Sequence, residues 1–85
     1  MTSIDFLKFH DQKKYQDSLA SYDEALRIDP SFADAWLNKG FCLHSLMMLD
    51  EAIESYEKAI AIEPNLAEAH FNRGLTLLLQ GKFES

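Results

Sequence analysis

Three histidines, one cysteine and fourteen carboxylates are the side chains that could support acid–base, nucleophilic or metal chemistry. His10 and His44 lie at positions related by an interval of 34 residues that also links many other residues, and this regularity suggests a shared metal ion. Equivalent atoms on neighbouring packed helices lie roughly 10 Å apart, whereas each nitrogen bound to zinc lies about 2 Å from the metal. Both are therefore interpreted as surface histidines, and we predict no metal and no cofactor.

Cys42 is the single cysteine of the chain. Its neighbours Phe41 and Leu43 are apolar, and no basic residue nearby in the sequence would stabilise a thiolate. A structural thiol is the expectation, not a nucleophile. Because one cysteine cannot form an intrachain disulfide, a reducing cytoplasm is the expected location.

The carboxylates have no spacing that indicates catalysis. They fall on the outer faces of predicted helices, where Glu54 and Lys58 are spaced for an i,i+4 ion pair. The sequence has no glycine-rich phosphate loop, no Ser/His/Asp set with a strained turn, and no Cys/His metal spacing. It therefore predicts a protein that is not an enzyme and has no catalytic residue.

An internal repeat organises the elements that carry these side chains. Residues 15–49 align with residues 49–83 at an offset of 34. The matched pairs include Tyr22 with Tyr56, Ala25 with Ala59, Ile28 with Ile62, Pro30 with Pro64, Ala35 with Ala69, Asn38 with Asn72, and Gly40 with Gly74. A period of this length is typical of stacked helical repeats.

The repeated residues resemble the pattern of the tetratricopeptide repeat. The complete copy carries Trp36, Gly40, Leu43, Ala52, Tyr56, Ala59 and Pro64. The resemblance implies about two and a half repeats in one array over residues 1–85, divided as 1–31, 32–65 and the first helix of a third repeat at 66–85. It also implies an all-α, right-handed solenoid of antiparallel helix pairs that acts as a scaffold for protein–protein interaction.

Helix-forming residues, with apolar positions three and four apart, predict five helices at residues 3–13, 16–28, 33–46, 50–62 and 67–80. Pro30 and Pro64 end the second and fourth of these, because the residue before a proline is disfavoured in the α region. Gly40 and Gly74 are expected to let a neighbouring helix approach closely. The predicted core consists of Trp36, Leu43, Tyr22, Tyr56, Ile28 and Ile62, with His70 half-buried in the position equivalent to Trp36.

The turns inside the helix pairs depart from the family pattern. Gly81 keeps the glycine that the family usually has there, but the equivalent residues are Lys13 and Met47. An ordinary turn without glycine is the favoured interpretation. The alternative is that residues 33–62 form one long helix that is exchanged between chains.

Composition excludes several classes of function. A net charge of -6 argues against a nucleic-acid partner, because binding phosphates requires a basic surface. No apolar run is long enough to span a membrane, and Met1 to Lys14 lacks the order of a signal peptide. A protein or peptide partner is therefore expected.

The resemblance places the first helix of each pair along an apolar concave groove. The predicted groove residues are Leu37, Asn38, Phe41, His44, Phe71, Asn72, Leu75 and Leu78, with Ser45 and Leu79 beside them and Leu7, His10 and Asp11 added by the first repeat. Asp34 and Glu68 form an acidic rim. The amides of Asn38 and Asn72 have donors and acceptors that suit an extended peptide backbone, or they are simply solvent-facing residues.

The charged residues of the predicted groove indicate which kind of peptide it could bind. Relatives that grip the carboxylate of an acidic tail carry lysine and asparagine on the first helix, asparagine on the third, and lysine and arginine on the fifth. The matching positions here, in the same order, are Ser3, Leu7, Asn38, Glu68 and Asn72. Only Asn38 fits that pattern, so we reject an acidic tail. A basic or amphipathic helical segment is the better match.

Self-association is the alternative function. Leu75, Leu77, Leu78 and Leu79 wrap around more than one face of the last predicted helix, and an apolar surface of this kind requires burial. Either the natural protein continues beyond Ser85, or this helix packs on another copy as a homodimer or higher oligomer.

Overall fold

The protein is described by a computed structural model and is all-helical. The structure describes the backbone of residues 3–81 and the side chains of residues 12–81, and no strand occurs in that part of the chain. The helices are α1 (Ser3–Ile28), α2 (Ala33–Ser45), α3 (Leu49–Ile62) and α4 (Ala67–Gln80). Helix α2 packs between α1 and α3, and α4 packs against α3 and touches α2.

The prediction of five helices is wrong, because the first two form one continuous helix, α1. No glycine or proline occurs between residues 3 and 28, and Lys13, at the expected turn, is a good helix former. The residue 34 positions before Gly40 is Phe6, so the first repeat also lacks the small residue that allows a helix to fold back closely. Residues 15–28 of α1 therefore occupy the position of the second helix of a repeat. The preceding segment, which would be the first helix of that repeat, continues α1 and does not turn back.

Helices α2 and α3 are separated by a tight turn, so the alternative of one long helix over residues 33–62 is wrong. Met47 has a φ of 63°, in the left-handed region, and is the only residue other than glycine with a positive φ among those described. Its N–H donates to the carbonyl of His44 at 2.9 Å, and the N–H of Met48 donates to that of Leu43 at 2.8 Å. These two bonds satisfy carbonyls at the end of α2 in the manner of a Schellman motif. Gly81 ends α4 with a φ of 78°.

The connections that contain proline are built alike in both repeats. The N–H of Phe32 donates to Asp29, and the N–H of Leu66 donates to Glu63, each at 3.1 Å. A ring nitrogen six residues after each proline then donates to the carbonyl of that proline. Trp36 Nε1 bonds to Pro30 and His70 Nε2 bonds to Pro64, both at 2.8 Å. The prediction that His70 is half-buried is wrong, because its imidazole lies exposed along the connection.

The core lies where α2, α3 and α4 meet. Its buried residues are Leu37, Leu43, Ala52, Tyr56, Ala59 and Ala69, with Leu19, Trp36, Ile60 and Leu66 packed partly buried against them. Leu43 and Tyr56 are confirmed as core residues, whereas Trp36 and Tyr22 are half-buried. Ile28 and Ile62 were predicted to be buried but are 71% and 37% exposed. They are the last residues of α1 and α3, at the ends of the packed faces.

The two helical glycines have different surroundings. A Cβ built on Gly40 would lie 2.5 Å from Cε1 of Tyr56, so the predicted close approach is confirmed there. A Cβ built on Gly74 would meet nothing within 4 Å among the described residues outside its own stretch of helix. The predicted close approach at Gly74 is therefore wrong within the described structure.

Candidate functional site

A shallow depression lies between α2 and α4 above one side chain of α3. It has a volume of about 60 Å³ and is lined by Phe41, His44, Tyr56, Asn72 and Leu75. Residues 41 and 75 occupy the same position in successive repeats, as do residues 38 and 72, and equivalent positions of stacked helices face the same side. This feature is the α2–α4 depression.

A hydrogen-bond network centred on Thr76 forms the floor of the α2–α4 depression. The Thr76 hydroxyl is completely buried and donates to the carbonyl of Asn72 at 2.9 Å. His44 Nδ1 lies 2.8 Å from the same oxygen. Because the hydroxyl has only one proton, Nδ1 of His44 must carry the hydrogen and donate it. This contact joins the C-terminal half of α2 to α4 and fixes the imidazole tautomer.

Tyr56 connects the network to the core. Its side chain is 1% exposed, and its phenol lies beside the Thr76 hydroxyl. Burial raises the pKa of Tyr56 to about 12, and the adjacent Thr76 hydroxyl offsets part of that increase. The neighbouring Cys42 is also buried and unpaired, and desolvation raises the pKa of its thiol. Both groups are therefore neutral at physiological pH.

Large apolar side chains surround the α2–α4 depression. Phe41 is 49% exposed and Leu75 is 45% exposed, so each presents about half of its surface to solvent. The Phe41 ring also packs edge-to-face against Tyr15 of α1, with centroids 6.4 Å apart. This contact orients the ring while leaving one side open.

The structure places the predicted groove residues in three environments. Phe41, His44, Asn72 and Leu75 line the α2–α4 depression together. Asn38, Phe71 and Leu78 are exposed and do not line it, while Leu37 is buried in the core. The groove positions Leu7, His10 and Asp11 of the first repeat lie outside the residues whose side chains are described. Leu77 is half-buried and Leu79 exposed, so α4 carries apolar surface outside the depression as well.

Two residues of the site have roles that the sequence did not indicate. Tyr56 was predicted only as a core residue, yet one side of it forms part of the depression. Thr76 is a single hydroxyl within the run 75–79, which is otherwise all leucine. A lone polar residue inside an apolar run was the available signal, because burial of a hydroxyl requires a hydrogen-bonding partner.

A different surface carries the basic residues around Trp36. The Nζ atoms of Lys39 and Lys58 lie 5.3 and 5.2 Å from the centroid of the indole ring. Lys58 thus contacts the ring and forms no ion pair with Glu54 in the described structure, so that predicted pair is wrong. The attraction of an ammonium group to the electron-rich indole face explains its position.

Equivalent ion pairs connect each helix pair to the next. Lys39 of α2 pairs with Asp23 of α1 at 2.7 Å, and Arg73 of α4 pairs with Glu57 of α3 at 3.1 Å. The residues of these pairs are related by the 34-residue repeat. The charged surface is therefore periodic in the same way as the core.

Within the described residues, no three His, Cys, Asp or Glu side chains cluster as metal ligands. None of the helices, as far as they are described, is both long and apolar enough to cross a bilayer.

The family comparison agrees with the repeated geometry. A family model described as TPR repeat matches residues 7–46 and 48–81, which is most of the chain. No curated protein matches the sequence. TPR repeats generally mediate protein–protein interactions, and members of the family are typically non-catalytic scaffolds. With helix pairs, prolines and core residues recurring in register, the chain belongs to the TPR repeat family.

Proposed function

We propose that this chain is a non-catalytic interaction scaffold that binds a helical peptide segment of a partner protein along the α2–α4 depression. The observation that carries the proposal is the depression itself, where half-exposed Phe41 and Leu75 flank a floor of satisfied polar groups. Apolar anchors of a partner helix gain free energy by covering such side chains. Phe71 and Leu78, which are 66% and 60% exposed, extend the apolar surface along α4.

The chemistry of the partner follows from the charge of the chain. Asp34 and Glu68 are exposed in the first turns of α2 and α4, and the whole protein carries a net charge of -6. A partner helix with lysine or arginine beside its apolar face is attracted by this field, which mainly raises the association rate. The exposed amide of Asn38 and the half-buried amide of Asn72 offer hydrogen bonds to polar groups of the segment.

The arrangement of the chain is part of the proposal. We infer one TPR array over residues 1–85, with units at 1–31, 32–65 and 66–85 stacked as a right-handed solenoid. A cytoplasmic setting is proposed because the buried Cys42 is unpaired and needs no oxidising compartment.

A binding experiment tests the partner chemistry directly. Two amphipathic model helices with identical leucine positions, one with lysine and one with glutamate at the polar positions, are titrated into the protein by calorimetry. The lysine peptide is expected to bind at least about tenfold more tightly, and its affinity should fall with added salt. Equal binding of both peptides would contradict the acidic steering.

Two substitutions test the location. Phe41→Ala and Leu75→Ala are each expected to weaken binding of the lysine peptide by about tenfold, because central apolar anchors dominate such interfaces. Ile28→Ala is the matched control, since Ile28 is 71% exposed at the end of α1 and lines no part of the depression. Unchanged affinity in both Phe41→Ala and Leu75→Ala would place the binding surface elsewhere.

A further inference from the structure

Helix α4 has a face that corresponds to the α3-binding face of α2. On α2 this face contains Trp36, Gly40 and Leu43, and the Tyr56 ring of α3 lies against Gly40. The equivalent residues of α4 are His70, Gly74 and Leu77, which we call the docking face of α4. The space above Gly74 is empty to 4 Å among the described residues, and Leu77 is only half-buried where Leu43 is 2% exposed. The docking face is thus the surface that an α3-like helix would cover.

Helix α1 carries the complementary surface. The α3 residues that α2 covers most completely are Ala52, Tyr56 and Ala59, which are 0–1% exposed. Their equivalents in α1 are Ser18, Tyr22 and Ala25, and all three are only half-buried. They form the Tyr22 face of α1. The face is incompletely covered because α1 continues through the expected turn and residues 3–13 do not fold back along it.

We propose that a second copy of this chain covers the docking face of α4 with its own Tyr22 face. Tyr22 of that copy enters the space above Gly74 as Tyr56 occupies the space above Gly40 within one chain. The interface then completes a TPR helix pair from two molecules, with α4 as the first helix and residues 15–28 of the other copy as the second.

Charge complementarity supports a second copy as the occupant. Around the contact between α2 and α3, the charged lining residues are Lys39, Glu51, Glu54 and Lys58. Position 39 of α2 corresponds to Arg73 of α4, one repeat later. Positions 51, 54 and 58 of α3 correspond to Asp17, Ala20 and Glu24 of α1, one repeat earlier. The α4 side therefore contributes the positive charge of Arg73, and the α1 side contributes the carboxylates of Asp17 and Glu24. Arg73 already pairs with Glu57 and Glu24 with Arg27, so the new contacts extend existing ion pairs.

The two faces are different surfaces of the same chain, which determines the form of assembly. A contact between unlike surfaces gives a ring if the rotation closes and an open chain if it does not. Because this contact continues the stacking of the repeats, each copy is displaced along the solenoid, and the assembly stays open. Of the four leucines predicted for self-association, only Leu77 belongs to the docking face. Leu75 lines the α2–α4 depression and Leu78 is exposed, so assembly leaves the depression available.

The test begins with the mass of the full 85-residue chain. Light scattering over a wide range of protein concentration is expected to show a weight-average mass that rises from 9.7 kDa past the mass of two chains without a plateau at the dimer. A mass that stays at 9.7 kDa throughout would overturn the proposal and leave the docking face to a helix of another protein.

Complementation between two variants tests the pairing of the faces. Gly74→Leu fills the space on α4, and Tyr22→Glu removes the ring from α1 and would place a carboxylate in the closed space above Gly74. Each variant alone is expected to remain monomeric. An equimolar mixture is expected to form a heterodimer and nothing larger, because the Gly74→Leu chain still has its Tyr22 face and the Tyr22→Glu chain still has its docking face. A mixture that stays monomeric would overturn the proposal.

Further variants distinguish loss of assembly from loss of folding and test which side of α4 forms the contact. Among the described residues, nothing lies within 4 Å of a Cβ at Gly74. At a protein concentration where the wild type is monomeric, Gly74→Leu should therefore melt at or above the wild-type temperature by circular dichroism. If Tyr22→Glu unfolds, Ser18→Arg blocks the same face and replaces it. Leu78→Glu should assemble as the wild type does. Assembly that is lost in Leu78→Glu but kept in Gly74→Leu would move the contact to the groove side of α4 and refute the proposed pairing.

Discussion

The ring of Tyr56 occupies the space beside Gly40, where even the methyl group of alanine would come within 2.5 Å of Cε1. Alanine favours a helix over glycine by about 1 kcal/mol, but overpacking a rigid core costs about 1–3 kcal/mol. Because Tyr56 is 1% exposed and has little room to move, the clash should dominate. Gly40→Ala is expected to lower the free energy of unfolding by about 1–2 kcal/mol in urea denaturation.

The matched control is Gly74→Ala, at the same position one repeat later. With no described atom outside its own stretch of helix within 4 Å of the new methyl group, only the helix preference remains, and stability should rise by about 0.5–1 kcal/mol. Measurement at a protein concentration where the chain is monomeric separates this effect from association. Destabilisation of both variants by equal amounts would contradict the difference between the two environments.

Thr76→Val tests the buried network beneath the α2–α4 depression. Valine keeps the shape of threonine but removes the oxygen that accepts the hydrogen bond from His44. Leaving buried donors unsatisfied costs about 1–3 kcal/mol, and chemical denaturation should show a loss of this size. Thr76→Ser keeps the hydroxyl and should retain more stability than valine. The reverse order would show that packing of the methyl group matters more than the hydrogen bonds.

Met47→Gly is expected to stabilise the protein. A residue with a side chain at a φ of 63° pays about 1 kcal/mol relative to glycine, and the position is equivalent to Gly81, which has a φ of 78°. The midpoint temperature of thermal unfolding should rise. The gain in the free energy of unfolding should be somewhat less than about 1 kcal/mol, because glycine also increases the entropy of the unfolded chain. Met48→Gly serves as the comparison, because Met48 has a φ of -91° and should only lose stability.

Alkaline pH should destabilise the fold through Tyr56. Its pKa is about 12 in the folded protein against 10.0 for an ordinary tyrosine. The folded state therefore retains a proton that the unfolded state releases between these values, so this contribution is complete below pH 10 and is lost as pH rises towards 12. The expected loss is about 3 kcal/mol, measured as the free energy of unfolding against pH. Subtracting the profile of Tyr56→Phe isolates the contribution, and parallel profiles would contradict the shifted pKa.

Three of the four helices were predictable because the repeat marks their ends. Proline follows α1 and α3 closely, and α2, α3 and α4 begin and end within a residue of the predicted limits. Helix α1 differed because Lys13 is equally compatible with a helix interior and a turn. The choice there depends on whether the preceding segment has a surface on which to pack, and Phe6 at the position of the glycine does not provide one.

The site was predictable only where repeat symmetry applies. The residues at positions 41 and 75 share one slot of the repeat, so their convergence on the α2–α4 depression follows from stacking. The contact of His44 with Thr76 joins positions that are not equivalent, across 32 residues of sequence. Hydrogen bonds of this kind depend on the rotation of one helix against another, which the apolar pattern does not determine.

The environment of Trp36 gives the protein an intrinsic optical reporter of one repeat. Trp36 is the only tryptophan of the chain, and it touches the connection after α1 through Pro30 and α3 through Lys58. Its emission therefore responds to separation of α2 from α1 or α3. Detachment of α4 should change the tryptophan emission little, because the residue of α4 that is equivalent to Trp36 is His70, which has no indole ring. Comparing the fluorescence transition with the circular dichroism transition would show directly whether the final helix melts with the other helices or before them.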